Sequence, residues 1–305
     1  MTKFSDSAKK GIYLLPNLFT TGAMFAGYYS IIASINGKFE IAAISVFIAA
    51  LLDGLDGRVA RLTNTQSAFG EQYDSLSDLV SFGLAPSLLM YNWSLNSLST
   101  YHPIMGKIGW LAAFIYAACG ALRLARFNVQ IGTVDKAYFQ GLASPAAAAL
   151  VCSFVWVAVD HEFTGQQLQF IALPLTIISG LLMVSRFRYY SFKKLPFKES
   201  VPFFWVIVLV MVFVLLTLAP AKVLLVVFSI YSLSGVFMTV YNIKKKRESK
   251  NEVKDVNQKD IKISNESLNT ESDAVSSEVS PSAPKNISKK KVSKKKTTKK
   301  TTSKD

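Results

Sequence analysis

Two cysteines and two histidines in 305 residues leave little material for the commonest metal and nucleophile chemistries. Cys119 and Cys152 stand singly in apolar stretches, which argues against a cysteine-spaced zinc site and a disulfide framework and leaves packing as their role. His102 and His161 lie between apolar stretches, in loops that the charge pattern below turns outward, so neither is a candidate base. Charge is scarce as well. Only 18% of residues are charged against 50% hydrophobic, a balance foreign to an ordinary soluble domain.

The hydrophobic residues gather in eight blocks, near 18–36, 39–56, 74–94, 106–126, 143–159, 168–185, 201–219 and 221–241. Each is about 17 to 25 residues long, enough for a helix to cross roughly 30 Å of hydrocarbon. Lipid admits only helices or closed barrels, and these blocks are too long and too uniformly apolar for barrel strands. Lys3, Lys9 and Lys10 precede the first block as in a signal peptide, but its apolar run is too long, no cleavage site ends it and further spans follow. The expected fold is all-α, a polytopic membrane bundle of about eight transmembrane helices.

Lysine and arginine set its orientation. With the N-terminus inside, one side holds Lys3, Lys9, Lys10, Arg58, Arg61, Arg123, Arg126, Lys136, Arg186, Arg188, Lys193, Lys194, Lys198 and the cluster from Lys244 to Arg247. The other side holds only Lys38, Lys107 and Lys222. That asymmetry places both termini in the cytoplasm. Composition changes near residue 242, dividing a membrane domain, 1–241, from a disordered lysine-rich tail, 242–305. Residues 244–305 carry 18 basic and 9 acidic side chains, so the high overall charge mainly reports this tail. The run from Lys289 to Lys296 is either a solvated charge run or a contact for an anionic membrane surface. Without aromatic residues to stack on bases, it gives no sign of specific nucleic-acid binding.

Inside this apolar chain stand Asp53, Asp56, Asp74 and Asp78. A carboxylate near the centre of a membrane helix is unfavourable by about 2.5 to 3.5 kcal/mol on insertion scales, so four of them call for a compensating cation. Asp53 and Asp56 are three apart and Asp74 and Asp78 four apart, spacings that put each pair on one helical face. A turn between two antiparallel helices would bring the pairs together. Ion pairing with Arg58 and Arg61 is the simpler alternative, but two arginines do not neutralise four aspartates, and Glu71 adds a fifth acid. Gly57 and Gly70 let a ligand approach the backbone, and Arg61 offers a fixed positive charge suited to a phosphate oxygen. Such a set fits phosphoryl transfer, in which metal-bound carboxylates neutralise phosphate charge and one carboxylate serves as general base.

Residues Asp53 to Asp78 read D-x2-D-G-x2-A-R-x8-G-x3-D-x3-D, the pattern of the CDP-alcohol phosphatidyltransferases, and the chain resembles that family over roughly residues 11–240. The resemblance implies two divalent ions, Mg2+ or Mn2+, one held by Asp53, Asp56 and Asp74 and the other by Asp53, Asp74 and Asp78, with Asp78 as catalytic base. It also implies that Gly57, Arg61 and Ser67 contact the CDP moiety of CDP-diacylglycerol. Asn17 and Thr20, in Pro16-Asn17-Leu18-Phe19-Thr20, either reach the nucleotide or cap a helix.

Three further segments are similar to the bacterial members that use serine: the surroundings of the aspartates, Leu122 to Asn128, and Gly141 to Ala148, where Ala143 replaces an expected proline. By that resemblance the acceptor is L-serine, the membrane is the bacterial inner membrane and the assembly is a homodimer. Arg123 and Arg126 share a face and are candidates for the serine carboxylate, for phosphate contact or for plain positive-inside anchoring. Asn128 is a further polar candidate. Glycerol 3-phosphate and inositol are the alternative acceptors. Outside this class the alternative is a cation transporter, which would place its acids near the midplane in repeated halves, whereas these cluster at one face.

Overall fold

The computed structural model describes residues 3–130, 138–190 and 203–239, with positions 241 and 244. The tail from 242, apart from Lys244, lies outside the described residues, as do Lys136, Lys193, Lys194 and Lys198 of the charge asymmetry. In chain order the helices are α1 (Lys3–Ile35), α2 (Phe39–Leu62), α3 (Ala68–Asp78), α4 (Ala85–Trp93), α5 (Pro103–Gln130), α6 (Ser144–Asp160), α7 (Gly165–Val184) and α8 (Phe203–Leu218), followed by α9 (Pro220–Thr239). A π-helical stretch, Leu79–Leu84, joins α3 to α4, and a 3-10 turn, Leu95–Thr100, follows them. Among the described residues the regular structure is helical as expected, apart from one antiparallel ribbon of β1 (Tyr138–Gln140) and β2 (Arg188–Tyr190), with Phe139 opposite Tyr189.

Among the described residues, four helical segments are long and apolar enough to cross a membrane: Pro16–Ile35, Pro103–Val129, Gly165–Val184 and Pro220–Thr239. Several boundaries differ from those the apolar blocks mark. Helix α1 begins at Lys3 rather than near 18 and runs through Pro16. Helix α2 continues to Leu62, so Asp53, Asp56, Gly57 and Arg61 all lie within it rather than at its end. Helix α3 starts at Ala68, capped by Ser67, and Asp74 therefore sits inside a helix and not at its first turn. Each difference has one cause: hydropathy marks where a helix meets lipid, whereas hydrogen bonding continues wherever polar residues are also helix-competent.

Small residues allow the helices to pack closely. Ala42, Ala43 and Ala49 of α2 are wholly enclosed, and in α6 the run Ala146 to Ala149 is buried. At Gly27 a Cβ would come 2.5 Å from Ser81 Oγ, and at Gly120 one would lie 3.5 Å from the Gly83 Cα. Both glycines thus let α1 and α5 approach the π-helical stretch. Large apolar side chains such as Phe25, Leu51, Trp110, Phe114 and Phe213 are exposed, as a hydrocarbon-facing surface requires.

The π-helical stretch has a chemical origin. Pro86 lacks the N–H that an α-helix would aim at the Phe82 carbonyl, and the register widens so that the Ala85 N–H reaches the Val80 carbonyl. The Tyr116 hydroxyl, fully buried on α5, donates to the Phe82 carbonyl at 3.2 Å. Tyr116→Phe is expected to lower stability by about 1 to 2 kcal/mol, the cost of a lost buried hydrogen bond, read as a lower unfolding temperature in detergent.

Candidate active site

The two aspartate pairs meet across the turn between α2 and α3. Thr63 caps α2, Asn64 adopts a left-handed conformation at φ 52°, and the Thr65 N–H returns to the Ala60 carbonyl at 3.0 Å. Ser67 then opens α3, its hydroxyl accepting from the Gly70 N–H at 3.0 Å. This tight turn joins α2 to α3. Asp53, Asp56 and Asp74 each bring one oxygen to within 4.8 Å of the others. The carboxyl of Asp53 also lies against those of Asp74 and Asp78, so all four acids form one cluster.

Hydrogen bonds from α1 fix this cluster. The Thr20 hydroxyl donates to Asp56 Oδ2 at 2.7 Å, the Ser77 hydroxyl to the Thr20 carbonyl at 3.1 Å, and the Ser81 hydroxyl to the Ala23 carbonyl at 3.1 Å. Thr20 is therefore no helix cap. It lies well inside α1 and orients a carboxylate, and Asn17 lies inside the same helix.

No lysine or arginine among the described residues comes within 4.0 Å of these carboxylates, where the only ion pair is His161–Asp160. The expected alternative of pairing with Arg58 or Arg61 is thereby removed for the described residues. Asp74 Oδ1 and Asp78 Oδ1 are buried and lack a hydrogen-bond partner. Unneutralised acids with orphaned oxygens, all hard donors, fit a divalent cation of the magnesium or manganese type.

Beside the acids opens a cavity of ≈ 190 Å³. Asn17 and Thr20 of α1, Gly57 and Arg61 of α2, Ser67 and Gly70 line it, next to Asp56 and Asp74. All five residues assigned to the CDP moiety therefore share one space. Arg61 Nε donates to the Gly57 carbonyl at 2.8 Å, which fixes its guanidinium along the wall. Sequence reasoning missed Pro16, Thr65 and Gln66, which also line the cavity. Thr65 and Gln66 occupy the unspecified gap between Arg61 and Gly70, where spacing alone carries no signal.

Arg123 and Arg126 diverge despite their shared face. Arg123, half-buried, donates from Nη1 to Ser144 Oγ at 2.7 Å and lies within electrostatic reach of Asp78. Arg126 Nη1 points to the Val184 carbonyl, at 3.4 Å, at the C-terminal end of α7. Asn128 Nδ2 donates to Ser75 Oγ at 3.0 Å, tying α5 to α3. Ala143, in place of the expected proline, has φ −62°, the angle a proline ring imposes, so the backbone ahead of Ser144 keeps that conformation without the ring.

Comparison with known proteins agrees with this geometry. A family model described as CDP-alcohol phosphatidyltransferase matches residues 13–182, which include the four aspartates, the cavity and Arg123. The chain is 38% identical over 230 residues to the CDP-diacylglycerol–serine O-phosphatidyltransferase of Helicobacter pylori strain J99, spanning 75% of this chain and 92% of that protein. It is 36% identical over 187 residues to the archaetidylserine synthase of Methanothermobacter thermautotrophicus, 61% of this chain and 73% of the other. With the CDP-diacylglycerol–serine O-phosphatidyltransferase of Methanocaldococcus jannaschii it shares 37% identity over 144 residues, 47% of this chain and 61% of that one.

Gly57 offers a sharp test of the cavity. A Cβ there would meet the protein only at Arg61 Nη2, 3.8 Å away, so packing does not require glycine. Gly57→Ala is expected to leave unfolding unchanged or raise stability by up to about 1 kcal/mol, because alanine favours a helix. The added methyl would at the same time intrude on the cavity and weaken CDP binding roughly tenfold, measured by isothermal titration calorimetry.

Proposed function

Because this chain belongs to the CDP-alcohol phosphatidyltransferase family, we propose that it transfers the phosphatidyl group of CDP-diacylglycerol to the hydroxyl of L-serine, giving phosphatidylserine and CMP. The observation that carries the reaction class is the cluster of four aspartates, none in ion-pairing range of a lysine or arginine among the described residues, against a cavity lined by Asn17, Gly57, Arg61 and Ser67. Serine as acceptor is supported by the names of the H. pylori and M. jannaschii relatives and by Arg123, a half-buried cation near Asp78.

Asp53, Asp56, Asp74 and Asp78 are the residues that would hold two divalent ions, Mg2+ or Mn2+. When bound, these ions neutralise phosphate charge and stabilise the departing CMP. Arg61 faces the diphosphate from the cavity wall, while Asn17 and Ser67 offer hydrogen bonds to the nucleotide. The Ser67 hydroxyl accepts from the Gly70 N–H, which leaves its O–H to donate. Thr20 acts through Asp56, fixing which carboxylate oxygen turns toward the cluster. Asp78 takes the proton of the serine hydroxyl. The serine oxygen then forms a bond to the β-phosphorus of the donor, the bond from that phosphorus to the bridging oxygen breaks, and CMP carries that oxygen away. Arg123 receives the serine carboxylate, held in place by Ser144, and Arg126 adds positive charge at the same end of α5.

The surrounding assignments belong to the same proposal. Residues 1–241 form the membrane enzyme, with eight crossings made by α1, α2, the joined α3 and α4, and α5 to α9. Residues 242–305 form a basic cytoplasmic extension available to the anionic leaflet. The site opens to the cytoplasm of a bacterial inner membrane, and the enzyme works as a homodimer.

The deciding experiment gives purified protein labelled CDP-diacylglycerol, Mg2+ or Mn2+, and serine, glycerol 3-phosphate or inositol in turn. CMP release with serine is expected, and release with another alcohol but not with serine would overturn the acceptor. Asp78→Asn is expected to cut turnover by a factor on the order of 10² to 10⁴ while donor binding persists. Unchanged turnover in that variant would remove Asp78 as the base.

A further inference from the structure

Helix α3 carries Asp74 and Asp78, yet of its 11 residues only Ser77 is buried. Apolar packing therefore does little to fix the rotation of this helix about its own axis, and hydrogen bonds have to do it. On one side they run to α1. The Thr21 hydroxyl gives its proton to the Asn17 carbonyl at 2.7 Å, so the Tyr73 hydroxyl, 2.9 Å away, donates to Thr21. The Ser77 hydroxyl donates to the adjacent Thr20 carbonyl at 3.1 Å.

On another side the tie runs to α5. The Ser75 hydroxyl donates to the Glu71 carbonyl of its own helix at 3.0 Å and accepts from Asn128 Nδ2 at 3.0 Å. Asn128 Oδ1 lies 3.3 Å from the same oxygen, so the polar end of the amide is turned to Ser75. These positions bracket the acids. At about 100° per residue, counting from Tyr73, Ser77 stands at about 40°, Asp74 and Asp78 at about 100° and 140°, and Ser75 at about 200°. The carboxylate face thus lies between the α1 ties and the α5 tie, and a roll of α3 toward either side turns both carboxylates away from Asp53 and Asp56.

We propose that Asn128 is a positioning residue of the metal site: through Ser75 it fixes the rotation of α3, and with it the direction in which Asp74 and Asp78 meet a divalent cation. The inference rests on the metal reading of the aspartate cluster and goes beyond it. It assigns Asn128 to the metal rather than to the acceptor alcohol, and it makes α5, the helix that bears Arg123, a support of the carboxylates as well.

The test uses full-length protein in detergent with neither substrate present, and reads Mn2+ binding from the electron paramagnetic resonance signal of the free ion. Asn128→Ala is expected to raise the Mn2+ Kd about fivefold, the worth of one hydrogen bond between uncharged groups. Ser75→Ala should raise it to the same extent, and the double variant should bind no more weakly than either single one, because all three remove one tie. In CMP release the Mn2+ concentration giving half the maximal rate should rise with the Kd. The kcat and the serine KM at saturating Mn2+ should stay within about twofold of wild type. A merely structural role would lower the unfolding temperature and leave the Mn2+ Kd of the folded protein unmoved, and that result overturns the proposal. A raised serine KM with an unchanged Mn2+ Kd also overturns it, as do additive effects in the double variant. If Asn128→Ala does not fold, Ser75→Ala decides by the same Mn2+ reading, since alanine suits a helix. A wild-type protein that binds no Mn2+ removes the metal reading and this inference with it, a failure seen without any substitution.

Discussion

Four carboxylates held against one another, with no lysine or arginine among the described residues in ion-pairing range, repel each other and resist leaving water. The arrangement of α1, α2 and α3 follows from holding them there. A tight turn joins α2 to α3, α1 packs against both, and Thr20 ties one carboxylate to the helix that also accepts Ser77 and Ser81. Each tie is one hydrogen bond, modest by itself. Together they hold the cluster with its oxygens converged although no lysine or arginine among the described residues pairs with it directly, an arrangement that suits a divalent cation.

Two halves of the bundle meet at that cluster. The cavity draws on α1, α2, α3 and the turn before α3. Arg123 and Ser144 approach from α5 and α6. Asp78, at the last position of α3, is the aspartate within reach of Arg123. An acid shared by both halves is well placed to act on the atom that passes between them.

Much of the site was legible in the sequence because helical spacing and charge are local properties. Asp53, Asp56, Asp74 and Asp78 could be paired by counting and Gly57 and Arg61 set beside them, whereas Ser67 entered only through the family resemblance. The two readings of Thr20 were a ligand contact and a helix cap. The structure gives it a third role, since a threonine's partner 36 positions away leaves no trace in local pattern. Ser144 was equally hidden, as its hydrogen bond with Arg123 depends on where α6 docks. Element ends drifted for another reason. Apolar blocks register lipid contact, and α1, α2 and α3 each carry polar helical turns beyond it.

The π-helical stretch after Asp78 separates two demands on a single rod. Adding one residue to a helical turn rotates everything beyond it by about 100°, so the faces of α3 and α4 are out of phase across Leu79–Leu84. The direction of the aspartates is consequently independent of which side chains of α4, such as Leu89, Met90 and Trp93, fill the core. An unbroken α-helix would couple the two, and each repacking of the core would swing the carboxylates. With the phase reset directly behind Asp78, the interior of the bundle can vary in shape while the reacting groups keep their aim.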